Sequence, residues 1–305
     1  MRQRTRSPNR PAKQAELRAM TIQQALKSAA QALETAGVPD PRLDAELLLS
    51  HVTDLERLIM LMNPSATLTT QQEQRFSSLL LSRVQREPLQ YLLGTQYFYG
   101  LELKVDGRAL IPRQETETLC ELGIRFLRSQ DARQDCPSSA LDLCTGSGAI
   151  AIALKHECPH TLVCAADMSA EALQLAGENA RQIGTEICFF QGDLFAAVSG
   201  RRFQLILSNP PYVATADCDT LQAEVLREPR MALDGGPDGL HFYRRIAAGA
   251  PAHLQKGGLL AVEAGDGQAD AIAALLRQSG LRDVCIHNDL YGMPRVVSGR
   301  AEDFT

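Results

Sequence analysis

From Ser138 onward the chain alternates short apolar runs with amphipathic segments, and that alternation limits the folds open to it more than any other feature. The strand-like runs are "ALDLC", "TLVCAAD", "EICFFQGD", "FQLILSNP", "GLLAVEAG", "VCIHND" and "RVVSGR". Helix-length segments separate the early runs, the pattern of a parallel sheet covered by helices on both faces. The last two runs have no helix between them, so the final strand is expected to return antiparallel. The expected architecture is α/β, a seven-stranded, mostly parallel sheet.

Upstream, Thr21 to about Glu87 reads as helical. Ile22, Leu26, Ala29 and Leu33 repeat at helix spacing, and Gly37 closes that helix. Asp40-Pro41 opens the next as N-cap and first-turn proline, with Leu47, Leu48 and Val52 on its apolar side. Thr70 to Glu73 reads as a capping box before Phe76, Leu79 and Leu80. Asp44, Glu46 and His51 are expected to form a solvated helix face. Pro88 is expected to end the helices. "QYFYGLELKVDGRALIP", with its Gly breaks and Asp-Gly turn, reads as a hairpin linking two domains. The expected organisation is a disordered basic tail over 1–20, a helical substrate-binding domain over 21–88, a hairpin linker over 89–112 and a catalytic domain over 113–305.

Charge narrows the partners. Arg2, Arg4, Arg6, Arg10, Lys13 and Arg18 against Glu16 give the first twenty residues +5, so the overall −5 leaves −10 on the remaining chain. An acidic body argues against nucleic acid as the main partner, the basic tail apart. No apolar stretch approaches the ~20 residues of a membrane span, and no secretory signal is recognised. The eight cysteines form neither a C-x-x-C pair nor a zinc-like cluster, so no metal is expected and they read as reduced thiols of a cytoplasmic protein.

"LDLCTGSGAIAIAL" (Leu141 to Leu154) reads as strand, tight Gly turn and helix. Gly146 and Gly148 let the backbone approach a ligand, and the helix N-terminus offers free N–H groups. Asp167 ends the next strand, 19 residues after Gly148. An acid there accepts hydrogen bonds from ribose hydroxyls, or else caps the following helix. Asp193 ends the third strand and faces an adenine amino group, with Leu194 on the ring, or is simply a turn aspartate. NAD and S-adenosyl-L-methionine both fit such a site. A pyrophosphate binder uses G-x-G-x-x-G, whereas the pattern from Cys144 is C-x-G-x-G, which suits a ligand without phosphates.

The fourth run ends in Asn209-Pro210-Pro211-Tyr212. Two prolines stop both helix and sheet at the carboxyl edge, where open α/β sheets bind ligands. The Asn209 side-chain carbonyl and the Pro210 backbone carbonyl supply two rigid acceptors for one planar NH2 group. Tyr212 supplies an aromatic wall. Held rigidly, such acceptors need little reorganisation.

Asp/Asn-Pro-Pro-Tyr resembles the signature of methyltransferases that act on planar NH2 groups with S-adenosyl-L-methionine. "LIPRQETE", "EPRMALDGGPDGL" and "DLYGMPRVV" are similar to segments of the release factor glutamine methyltransferase family, PrmC or HemK. The resemblance spans roughly Thr21 to Arg300. It implies a Rossmann-like methyltransferase sheet. It also implies methylation of the glutamine in the Gly-Gly-Gln loop of class-1 peptide chain release factors, with S-adenosyl-L-homocysteine as product and a monomeric enzyme. By that resemblance Cys144, Thr145, Gly146, Ser147, Gly148, Asp167, Leu194 and Asn209 bind cofactor. Asn209, Pro210, Pro211 and Tyr212 bind substrate, and Asn209, Pro210 and Tyr212 carry catalysis.

Arg113, Glu115 and Glu117 fit the family's Pro-Arg-x-Glu-Thr-Glu motif, as site residues or as a structural ion-pair network. The family usually has Gly where this chain has Cys144. The sister ribosomal-protein glutamine methyltransferase tends to have Cys-Thr-Gly-Ser-Gly and is the alternative, beside a nucleic-acid amino methyltransferase. Cys144 is expected to pack under the cofactor, since sulfonium-to-nitrogen transfer needs no thiol nucleophile.

Overall fold

The computed structural model describes residues 19–131 and 137–302. Residues 1–18 of the expected basic tail lie outside the described residues. The chain divides into two compact units, Met1–Arg86 and Glu87–Thr305.

The first unit contains α1 (Ile22–Thr35), α2 (Pro41–Thr53), α3 (Arg57–Met62) and α4 (Thr70–Val84). α1 buries Ile22, Ala25, Ala29 and Leu33, one stripe at helix period. Pro41 starts α2 as expected, but the Asp40 side chain makes no cap bond, so the proline's fixed φ sets the entry. The capping box of α4 is Thr69 with Gln72, one residue earlier than the expected pair. Both registers satisfy the same pattern. The Glu73 carboxylate is taken by the Met20 backbone N–H at 2.6 Å.

The expected solvated face is corrected for two of its three residues. Asp44 is 6% exposed and Glu46 2%. Arg83 Nε donates to Asp44 at 2.7 Å, while Arg42 and Arg57 donate to Glu46 at 2.9 and 2.7 Å. A buried carboxylate persists where arginines compensate its lost hydration, and here two of the three arginines come from other helices. His51 is half-buried against Arg75, and burial and that cation lower its pKa.

The second unit opens with α5 (Leu89–Leu93), for which Pro88 is the N-cap and not a terminator. β1 (Thr95–Phe98) and β2 (Leu101–Lys104) form the expected hairpin. Its turn is Tyr99-Gly100, with φ of 51° and 76°, as a two-residue hairpin loop requires. The Asp106-Gly107 turn falls beyond it. A 3-10 turn, Gln114–Thr116, leads into α6 (Glu117–Asp131). Then follow β3 (Ser139–Leu143), α7 (Ala149–Glu157), β4 (Leu162–Asp167), α8 (Ala170–Ile183), β5 (Cys188–Gln191), β6 (Phe203–Ser208), α9 (His241–His253), β7 (Leu254–Glu263), α10 (Ala269–Gln278), β8 (Arg282–Asn288) and β9 (Pro294–Arg300).

The seven-stranded sheet has the order β5-β4-β3-β6-β7-β9-β8. The pairs from β5 to β7 are parallel, and β9 runs antiparallel to both neighbours, as the missing last helix implied. Strand alternation splits the core. Leu205 and Leu207 face the cluster of α6 and α7, and Ile206 faces the cluster of α9 and α10. Strand order reverses between β3 and β6, so a ligand crevice is expected at their carboxyl ends. Among the described residues no helix is long and apolar enough to cross a membrane.

Asp44→Ala strands the Arg83 guanidinium, itself 4% exposed, without this carboxylate. The expected loss is about 3–5 kcal/mol of unfolding free energy, read by urea titration.

Candidate active site

β3 leaves the sheet through Cys144, whose φ is 60°, and Gly148 ends the turn with φ 84°. A Cβ on Gly148 would lie 2.9 Å from that of Ala176, so glycine is what lets α7 and α8 approach. Beneath the turn sits Asp142, fully buried. Its Oδ2 accepts from the Thr145 hydroxyl at 2.6 Å and the Ala151 N–H at 3.2 Å, and Oδ1 has no partner. Burial pushes this carboxyl up to about 7. The free helix N-terminus expected from sequence is therefore partly occupied by an acid of the chain itself.

Asp167 ends β4 and receives Gly146 N–H on Oδ2 and Ser169 N–H on Oδ1, both at 2.9 Å. The α8 cap is Ser169, which accepts from Ala172 N–H at 3.1 Å, so Asp167 is not the capping side chain. Burial raises its pKa against those backbone donors. Each oxygen keeps a lone pair for a ligand hydroxyl.

These residues open on a cleft of about 710 Å³, counting its solvent-open mouth. Cys144, Gly146, Asp167, Asp193, Leu194, Asn209 and Pro211 line it together with Arg108, Met231 and Phe242. Thr145, Ser147, Gly148, Pro210 and Tyr212 are not in its wall. Thr145 holds Asp142, and the Ser147 carbonyl accepts from Asn179 at 3.0 Å. Leu194 has a φ of 49°, unusual for a branched residue and a sign of local strain. Asp193 pairs with Arg245 of α9 at 2.7 Å. Burial and the Asp167 carboxylate push the Cys144 thiol up, away from a nucleophilic thiolate.

The proline-rich segment after β6 is held from several sides. Ser208 donates its hydroxyl to the Leu143 carbonyl at 2.9 Å. Asn209 Nδ2 donates to Thr116 Oγ1 at 3.1 Å. Gln268 Nε2 donates to the Tyr212 carbonyl at 2.9 Å. Val213 exchanges backbone bonds with Leu233 and Gly235 at 2.9 and 2.7 Å. A Cβ on Gly235 would lie 2.7 Å from Tyr212 Cα, so the "DGGPDG" segment fits only as glycine. Burial pushes the Tyr212 phenol up to about 12, which keeps it neutral.

Two further segments are joined by Glu228, 5% exposed, which accepts from Ile111 N–H at 2.9 Å and pairs with Arg113. Glu117 accepts from Tyr99 N–H at 2.8 Å, while Glu115 is exposed. Arg113 and Glu117 thus brace the fold. Sequence reading missed Asp142, Thr116 and Glu263. The two acids carried a usable signal, since each is a lone charge inside an otherwise apolar strand run.

Comparison with known proteins fits this geometry. The family model "PrmC N-terminal domain" matches residues 24–94, and "Methyltransferase small domain" matches residues 123–239. The chain is 41% identical over 281 residues to the release factor glutamine methyltransferase of Geobacter sulfurreducens, covering 92% of this chain and 96% of that protein. It is 42% identical over 264 residues to the one from Moorella thermoacetica, covering 86% and 91%.

The chain belongs to the release factor glutamine methyltransferase family.

The fold is also similar to that of the hMettl16 catalytic domain in complex with the MAT2A 3′UTR hairpin 1, with a TM-score of 0.55, 14% identity, and coverage of 75% of this chain and 81% of that one. The expected Rossmann-like methyltransferase fold and family are therefore found.

A raised carboxyl stabilises the fold below the ordinary carboxylate range and loses that contribution as pH climbs through its folded value. Asp142 follows this rule with its value of about 7. Between about pH 5 and about pH 8, the urea midpoint of Asp142→Asn should fall less than that of wild type.

Proposed function

We propose that this chain transfers the methyl group of S-adenosyl-L-methionine to the side-chain amide nitrogen of the glutamine in the Gly-Gly-Gln motif of class-1 peptide chain release factors, in the cytoplasm. Its relatives carry the name release factor glutamine methyltransferase. The observation that carries the reading is the rigid Asn209-Pro210 pair of acceptors beside the cleft of Asp167 and Gly146. Among the described residues nothing donates to Asn209 Oδ1 or to the Pro210 carbonyl, so neither acceptor is taken within the chain.

The cleft residues fit the cofactor. Asp167 has acceptor capacity for ribose hydroxyls, Leu194 and Phe242 offer apolar surface, and Asp193 lies at the rim. Cys144 and Gly146 would form the floor, with Thr145, Ser147 and Gly148 shaping the turn from below. S-adenosyl-L-methionine supplies an electrophilic sulfonium methyl group. The protein's task is to orient a poor nucleophile, since the amide lone pair is delocalised. Asn209 Oδ1 and the Pro210 carbonyl would each accept one N–H of the glutamine amide. Those bonds tighten as the nitrogen gives up electron density, which is the condition for lowering a barrier. A carboxylate in the same place finds acceptors and no donors, and such a mismatch rejects by roughly 10⁴-fold. Tyr212 would flank the flat group, and the amide exchanges one proton for the methyl group. The helical domain over 21–88 would hold the release factor, and the catalytic domain over 113–305 would perform the transfer.

Labelled S-adenosyl-L-methionine should mark a purified release factor and leave the variant with Gly-Gly-Gln changed to Gly-Gly-Ala unmarked. Label on both, or on ribosomal protein or RNA instead, overturns the reading.

A further inference from the structure

We propose that Glu263, acting with Thr116, is a positioning residue that fixes which way the Asn209 amide points; this rests on the role given to Asn209 above. Glu263 is the last residue of β7 and is 1% exposed. β6 and β7 pair in parallel with Ser208 opposite Val262, which sets Asn209, just past β6, beside Glu263, still paired with Val296 of β9. Thr116 closes the 3-10 turn before α6 and is 5% exposed.

Asn209 Nδ2 donates to Thr116 Oγ1 at 3.1 Å. The threonine hydroxyl, having accepted, keeps a proton to give. The Glu263 carboxyl lies close to both Thr116 and Asn209, and that proximity lowers its pKa against the rise from burial. The NH2 end of Asn209 is thus bonded to Thr116 and lies on the side of the Glu263 carboxyl. Turned over, the amide would set its oxygen beside the buried Glu263 carboxyl, and the acid's charge disfavours that orientation. The favoured orientation leaves Oδ1 for the cleft that Asn209 lines.

The cost side of Glu263 supports the same role. Its Oε2 is buried with no hydrogen-bond partner. A buried acid with an orphan oxygen is a poor stabiliser, so its presence calls for another explanation. Arg295 offsets part of the charge, and Glu115 opposes it.

The test uses the full-length protein and three variants. Glu263→Met removes both acceptors at similar volume, Glu263→Gln keeps one, and Thr116→Val cuts the link. In the free protein, the side-chain amide ¹⁵N–¹H signals of Asn209 should shift and broaden in Glu263→Met and Thr116→Val, and recover partly in Glu263→Gln. On release factor, turnover should fall about tenfold or more in Glu263→Met and Thr116→Val, with cofactor affinity within about threefold of wild type. The double variant should fall no further than the worse single one, as linked residues do. Unmoved Asn209 signals in Glu263→Met, or losses that multiply in the double variant, overturn the proposal. The spectroscopic arm needs no substrate, so it decides the positioning role even if wild type leaves release factor unmethylated, a result that would count against the proposed function alone.

Discussion

Two consecutive prolines at the end of β6 cannot donate backbone hydrogen bonds, so the segment that carries the acceptors cannot be held by the sheet it leaves. Much of the second unit is arranged around that deficit. The Tyr212 carbonyl is bound by Gln268, from the loop after β7. Val213 is paired with the glycine-rich segment that follows. Gly235 and Gly239 admit the Tyr212 backbone at distances no side chain would tolerate. Ser208 ties the end of β6 to β3, and Asn209 is tied to the turn before α6. Elements distant in sequence thus converge on four residues, and the rigidity the chemistry needs is built from outside the motif.

The same edge of the sheet concentrates buried acid. Asp142 lies one residue before the end of β3 and Glu263 ends β7, with β6 between them; each has an unpaired oxygen and each is raised to about 7 by burial. Neither arrangement maximises stability, because a buried carboxyl without full pairing costs free energy near neutral pH. Neither lines the cleft, and each lies behind residues of it. Asp142 holds the turn through Thr145 and the Ala151 N–H, and Glu263 stands beside Asn209.

Much of this was legible in the sequence, and the misses have specific causes. The sheet and its antiparallel last strand followed from the alternation of runs, because strand and helix periods differ. The turn, Asp167, Leu194 and Asn209 could be placed at the carboxyl edge by their position at run ends. Local ambiguity defeated the capping box, where Thr69 and Thr70 offer two equal registers and only the Met20 backbone bond to Glu73 separates them. Tertiary pairing defeated the reading of Asp44 and Glu46, whose arginines lie partly on other helices. The hairpin turn was hidden because Tyr99 takes a left-handed φ that tyrosine rarely adopts. Thr116 sits inside the Pro-Arg-x-Glu-Thr-Glu motif but nothing local singled it out, since its bond is to Asn209, 93 residues away.

The central claim is that the Asn209 carbonyl acts on the reacting amide more than on cofactor binding. Asn209→Ala, compared with wild type for single-turnover methyl transfer and for cofactor affinity by calorimetry, tests it most directly. The account predicts a loss of roughly 10²–10³ in the transfer rate with cofactor affinity within about threefold. Equal losses in rate and affinity, or an undiminished rate, would contradict it.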